Sequence, residues 1–263
     1  MRVASLLITI AIGLAVGVAI TAEWLTVGQT AIAAALGVAA WFIGYMLLAN
    51  VHARRFNAQC VEAMAMLGRG EHEKAAQLWA GWGRRITVPA VIVAAARHNV
   101  AWATLRRGQL REALALFEQN ETKNLKWLRA NLMDSISALD RALCHALAGE
   151  LEPARHALAE AGMRSHRTHP SYTPMKGFVE AVIACREGRA DAAATNLAKH
   201  WAEYENMTTG DVSRPMRIVR AFASKMAIEP SSAPAYPDEY AFLGVAWPEM
   251  AQYIERSGSG APA

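Results

Sequence analysis

Residues 98–117 read His-Asn-Val-Ala-Trp-Ala-Thr-Leu-Arg-Arg-Gly-Gln-Leu-Arg-Glu-Ala-Leu-Ala-Leu-Phe. Ala101 stands seven residues before Gly108, Ala113 five after it, and Phe117 four further on. The same spacing recurs as Ala63–Gly70–Ala75, Ala142–Gly149–Ala154 and Ala181–Gly188–Ala193, closed by Trp79, Leu158 and Leu197. Successive glycines are 38, 41 and 39 residues apart, a period that marks a repeated supersecondary unit. The spacing predicts a pair of helices per repeat. Glycine ends the first helix, where a left-handed residue is needed. The alanines let two helices cross closely, and the bulky residue fills the space toward the next pair. Each pair leaves an apolar face that only its neighbour can bury, so the pairs stack.

The stretch 98–117 resembles a tetratricopeptide repeat in its Gly-x-x-x-x-Ala turn and closing aromatic. The other three segments resemble it less closely, and together the likeness covers about residues 53–205. The repeats exceed the family's usual 34 residues, which predicts longer connections at 83–90, 120–130 and 162–174. The resemblance implies an all-α chain, with a TPR-like α-solenoid of about four helix pairs plus a capping helix over residues 52–228. It also implies a concave surface lined by the first helices, at Met64, His98, Trp102, Arg106, Leu139, Leu143, Phe178 and Val182. The Asn, Lys and Arg set with which some family members hold a terminal carboxylate is missing at these places. The implied groove is apolar with an aromatic accent, suited to an amphipathic helix or extended hydrophobic segment of a protein partner. The chain's own Tyr240–Trp247 is the alternative occupant.

Upstream of the repeats the composition changes. No charged side chain occurs from Val3 to Ala22 or from Trp24 to Val51. A bilayer core takes about 20 apolar residues of helix, so residues 1–51 read as a transmembrane hairpin with helices near 3–22 and 30–49. Ser5, Thr9, Gly13, Gly17 and Thr21 recur every fourth residue, the small-residue stripe that lets membrane helices approach. Ala33, Gly37, Ala40 and Gly44 offer a similar stripe on the second span. Arg2 precedes the hairpin and Arg54 and Arg55 follow it, so the positive-inside rule places both termini in the cytoplasm. A cleaved signal peptide at 1–22 is the competing reading, but Ile20–Ala22 is a poor cleavage site. The alanine- and arginine-heavy composition fits a bacterial inner membrane. Between Gly44 and Gly68 there is neither glycine nor proline, so Thr30–Leu67 is expected to run as one rod of about 57 Å.

After the fourth pair, Asp211–Ile228 reads as a capping helix with Ser213 as its N-cap and Pro215 in its first turn. Its apolar stripe is Met216, Ile218, Val219, Phe222 and Met226. Residues 229–263 read as a Pro-rich linker to Asp238, an apolar segment Tyr240–Trp247, a short helix Pro248–Arg256 and a disordered tail.

The chemistry-bearing motifs are few. The chain holds no nucleophile elbow, P-loop, dinucleotide fingerprint or HExxH helix. Cys60, Cys144 and Cys185 are too far apart for a zinc pattern or a disulfide framework. His166 and His169, with His145 and His156 upstream, lack further ligands at fixed spacing. Asp134 and Asp140 read as surface charge. From His52 to Arg107 there are nine Lys or Arg against three Asp or Glu, and from Gly108 onward seventeen against nineteen. The basic half is therefore the one next to the membrane, where anionic lipid headgroups attract it. No dense basic face interleaved with aromatics points to nucleic acid.

The expectation is a non-catalytic membrane scaffold that recruits a protein partner, with the lipid bilayer as its other contact. No cofactor and no small-molecule substrate are expected. Two alternatives come from other classes: a metal-dependent enzyme built on His166 and His169, and a subunit assembled into a membrane complex through the hairpin.

Overall fold

The computed structural model describes residues 27–83, 88–120, 132–164, 172–207, 210–229, 232, 234–236 and 238–258. Eleven helices and no strand are found among them. They are α1 (Val27–Leu67), α2 (His72–Gly83), α3 (Ala90–Arg106), α4 (Leu110–Gln119), α5 (Leu132–Ala148) and α6 (Leu151–Arg164). There follow α7 (Tyr172–Arg186), α8 (Ala190–Met207), α9 (Gly210–Ala223), α10 (Ala241–Gly244) and α11 (Pro248–Gly258). Among the described residues every regular element is a helix.

The first helix is unbroken for 41 residues, about 61 Å at the helical rise. Among the described residues it alone is long and apolar enough to cross a membrane; its apolar stretch reaches a mean hydropathy of 1.8 and none of it is buried. Ile32, Leu36, Phe42, Ile43, Met46 and Leu47 are all exposed. From His52 onward the same helix enters the domain core, where Phe56, Ala63 and Leu67 are buried. The first expected span, with Thr9, Gly13 and Gly17, lies outside the described residues.

Helix α2 folds back on α1 through two tryptophans. Trp79 Nε1 donates to Cys60 Sγ at 3.4 Å and Trp82 Nε1 to Gln59 Oε1 at 2.5 Å. Trp82 also meets His52 and Phe56 edge-on. Both indoles are about 1% exposed, and removing either one takes a contribution of about 3–5 kcal/mol from the core.

The four repeat glycines make one and the same turn. Gly70, Gly108, Gly149 and Gly188 have φ between 76° and 81°. In each, the glycine N–H bonds the carbonyl three residues back and the next N–H bonds the carbonyl five back, as in Gly108 to Leu105 at 2.8 Å and Gln109 to Thr104 at 3.3 Å. This double bond pattern satisfies carbonyls that the helix end leaves over. The flanking alanines, Ala63, Ala101, Ala142 and Ala181 before the turns and Ala75, Ala113, Ala154 and Ala193 after them, are all buried. Of the closing residues Trp79, Phe117 and Leu197 are buried, while Leu158 is half-buried.

The packing order follows the pairs. Helices α1 and α3, α3 and α5, α5 and α7, and α7 and α9 are neighbours, and each of α2, α4, α6 and α8 packs on the helix before it and the helix after it. One continuous core runs from Phe56 to Met250.

A fifth turn of the same kind ends α9, with Lys225 rather than glycine in the left-handed position. Lys225 N–H bonds Phe222 at 3.1 Å and Met226 N–H bonds Ala221 at 2.9 Å. The capping helix therefore stops at Ala223, short of the expected Ile228, and Met226 is exposed. It also starts earlier than expected, at Gly210, which puts Pro215 inside the helix. A lysine at positive φ carries a steric cost that glycine lacks. Lys225→Gly is expected to raise stability by about 1 kcal/mol, read from the thermal midpoint of the detergent-solubilised chain by circular dichroism.

Candidate functional site

The eight positions implied as a groove are mostly interior. Leu139, Leu143, Phe178 and Val182 have no exposed surface, and Trp102 and Arg106 are buried. Only Met64 and His98 are half-buried. Because first helices stand next to first helices, these positions pack between consecutive pairs. Trp102 Nε1 is buried with no hydrogen-bond partner among the described residues.

At the first two glycine turns the edge is covered by the chain's own C-terminal segment, whereas Gly149 meets Arg186 of α7 and Gly188 is open. Tyr236 lies over Gly70: a Cβ on that glycine would come 2.8 Å from the tyrosine ring. The Tyr236 hydroxyl is 3.2 Å from His72 Nε2 and accepts from Arg106 Nη2 at 3.3 Å. Val245 sits on Gly108 in the same manner, 2.7 Å from a Cβ built there. The Arg106 guanidinium stacks over the Phe242 ring at 4.8 Å, and that of Arg186 over Trp247 at 5.4 Å. Trp247 in turn meets Phe222 of α9 edge-on. Tyr240, Phe242, Leu243, Trp247 and Met250 are all buried.

A buried carboxylate holds this strap. Glu239 receives both Nε and Nη2 of Arg214, at 2.8 and 2.9 Å, and the Ala235 N–H at 2.6 Å. Arg106 Nη2 approaches it to 3.9 Å. The paired carboxylate and the hydrogen bond it accepts hold the Arg214 pKa above its ordinary value. Burial, assisted by repulsion from Arg106 and Arg107, holds the His72 imidazole at about 4. The residues 229–238, expected as a mere linker, thus contribute Tyr236 to the covered edge. Four aromatic side chains between Tyr236 and Trp247 were the sequence signal for this role.

Between α3 and α5 lies a polar cluster. His98 Nδ1 is 3.4 Å from Ser137 Oγ, and His98 Nε2 is 3.5 Å from Asp140 Oδ2. Asp140, expected as surface charge, is 1% exposed. It reaches the interior because α5 is packed by α3, α4, α6 and α7. Burial and the nearby Asp140 push the Cys144 thiol well above its ordinary pKa. Ser137, His98 and Asp140 match a hydrolytic triad by residue type, but Ser137 is 2% exposed. A nucleophile so enclosed cannot meet an acyl substrate, and the cluster ties two first helices together.

Elsewhere the chemistry is sparse. No group of three or more His, Cys, Asp or Glu among the described residues could hold a metal ion. His166, His169 and the connections at 84–87 and 121–131 lie outside the described residues. His145 pairs with Glu150 at 2.6 Å. Of the glycines expected to pack in the second span, Gly37 is half-buried, whereas a Cβ on Gly44 would meet nothing within 4 Å. No family model matches the chain, and neither a curated protein nor a solved structure matches it.

Two outcomes follow for the strap. Glu239→Gln removes the buried carboxylate that half-buried Arg214 and buried Arg106 share and is expected to lower stability by about 3 kcal/mol in chemical denaturation. His72 is depressed in the folded state, so the unfolded chain binds the proton first as pH falls. Its stabilising contribution is present above pH 6.5 and is lost as pH falls from there toward about 4. The thermal midpoint is expected to fall between pH 6.5 and 5, and to fall less in His72→Gln.

Proposed function

We propose that this chain is a non-catalytic, membrane-anchored scaffold whose helix pairs form a TPR-like α-solenoid for recruiting a protein partner. One observation carries the reading: α1 is at once the membrane-length apolar helix and the first helix of the repeat stack. A single helix with no glycine or proline between Gly44 and Gly68 makes the stack and the membrane-length segment one rigid body, whose tilt sets how near the stack comes to the bilayer. In the proposed topology residues 3–22 form the other arm of the hairpin, and Arg54 and Arg55 keep the repeats on the cytoplasmic side of a bacterial inner membrane.

The fourfold turn and the adjacency of successive first helices support a solenoid. The cover on Gly70 and Gly108 and the interior placement of Leu139, Leu143, Phe178 and Val182 leave Met64 and His98 as the two implied groove positions that are not buried. A photo-crosslinking residue placed at Met64 is expected to capture one discrete protein in native membranes. The same residue at Met163 of α6, 82% exposed, is expected to give none. Equal capture at both positions, or none at either, would overturn the recruiting surface.

A further inference from the structure

The first two pairs are aligned by one thiol. Cys60 of α1 accepts from Trp79 of α2 at 3.4 Å and lies 3.9 Å from Asn99 Nδ2 of α3. Trp82, near the end of α2, meets His52 and Phe56. Arg97 of α3 lies beside Gly83, its Cγ 3.9 Å from a Cβ built there. Helices α1 and α3 therefore run parallel, with α2 antiparallel to both. Counting back from the level of Cys60 and Asn99, Val91 stands level with His52. At the end of α4, Asn120 Nδ2 donates to the Ala94 carbonyl at 3.0 Å, which brings that end to the same edge.

This edge is the one from which the exposed apolar half of α1 departs. Arg54 and Arg55 are exposed within one turn of Val51, and Arg97 is exposed beside Gly83. Val91, at the start of α3, is 60% exposed. A cleft of about 390 Å³ lies between α2, α3 and α4, lined by Trp79, Val100 and Leu116 with Arg97 beside them. Against these cations the last turn of α4 sets Glu118. The glycine turns and the strap are at the other end of the pairs, about 22 Å farther along α1.

We infer that this edge is a collar that docks on the bilayer surface and selects anionic phospholipid headgroups. Arg54, Arg55 and Arg97 pair with lipid phosphates, Val91 enters the interfacial layer, and the cleft beside Arg97 accepts a headgroup. The inference rests on the membrane-anchored reading of α1. It adds that the domain lies against the lipid instead of standing clear of it. An arginine near an anionic surface biases docking by about fivefold, so three together bias it by about a hundredfold.

The test uses the full chain in nanodiscs of phosphatidylcholine alone or of an equal mixture with phosphatidylglycerol. A polarity-sensitive dye is attached at Val91→Cys. Cys144 and Cys185 are buried and Cys60 is half-buried, so the parent chain, carried through the same labelling, supplies the background. A blue-shifted emission on the anionic discs only, abolished by high salt, is expected. Arg54→Gln, Arg55→Gln and Arg97→Gln together should lower the docked-to-undocked ratio about a hundredfold. The corresponding three lysine variants should keep it, which separates charge from damage to the fold. Equal emission on both lipids, or docking retained by the glutamine variant, overturns the collar while leaving the anchor standing. A chain that does not enter the discs overturns the anchor and the collar with it.

Discussion

The left-handed turn at the end of each first helix is the constraint on which the rest of the architecture depends. A helix end leaves carbonyls without partners, and the turn at Gly70, Gly108, Gly149 and Gly188 satisfies them while reversing the chain. Reversal at a fixed residue sets which alanine faces which. Ala101 before the turn and Ala113 after it are both buried, and two helices can then approach at the distance that small side chains permit. Because the turn is the same each time, every pair presents the next with an equivalent apolar face. Repetition of one local geometry thus generates a continuous core without a sheet or a disulfide.

What holds the far edge of that core is of another kind. The strap contributes aromatic faces to guanidinium groups, Phe242 to Arg106 and Trp247 to Arg186. It also places one carboxylate, Glu239, within reach of arginines from two different helices. Arg106 is buried in α3, so its charge is matched by partners from a segment more than a hundred residues away. Buried pairs of this sort add little when complete, but an unmatched partner is strongly unfavourable. The strap and the turns are consequently interdependent: Tyr236 and Val245 occupy space that exists only because Gly70 and Gly108 lack a Cβ.

Local geometry was legible in the sequence where a residue type has one inexpensive role. Glycine at a left-handed position leaves a mark, and so does the lack of glycine and proline along α1. The end of α9 was illegible because Lys225 occupies a conformation that lysine seldom adopts. The burial of Asp140 was hidden because periodicity reports one apolar face, while α5 is enclosed on several sides and buries Ser135, Ser137 and Asp140 alike. Tyr236 and His72 are separated by 164 positions, and no pattern along the chain announces such a contact. The groove positions were assigned through resemblance to shorter repeats, and here the same positions lie largely between neighbouring pairs.

The continuity of α1 also orders events in time. The half of α1 that carries Phe56, Ala63 and Leu67 is synthesised before any helix that can cover them, so the face on which α2 and α3 pack stands open while those helices are still unmade. Each later first helix packs on one made before it, α3 on α1, α5 on α3, α7 on α5 and α9 on α7. The strap is made last, and until it is complete the buried guanidinium of Arg106 has neither Phe242 nor Glu239 beside it. Closure of this edge therefore waits on residues 235–250, and a nascent chain that has not reached them leaves Arg106 uncovered.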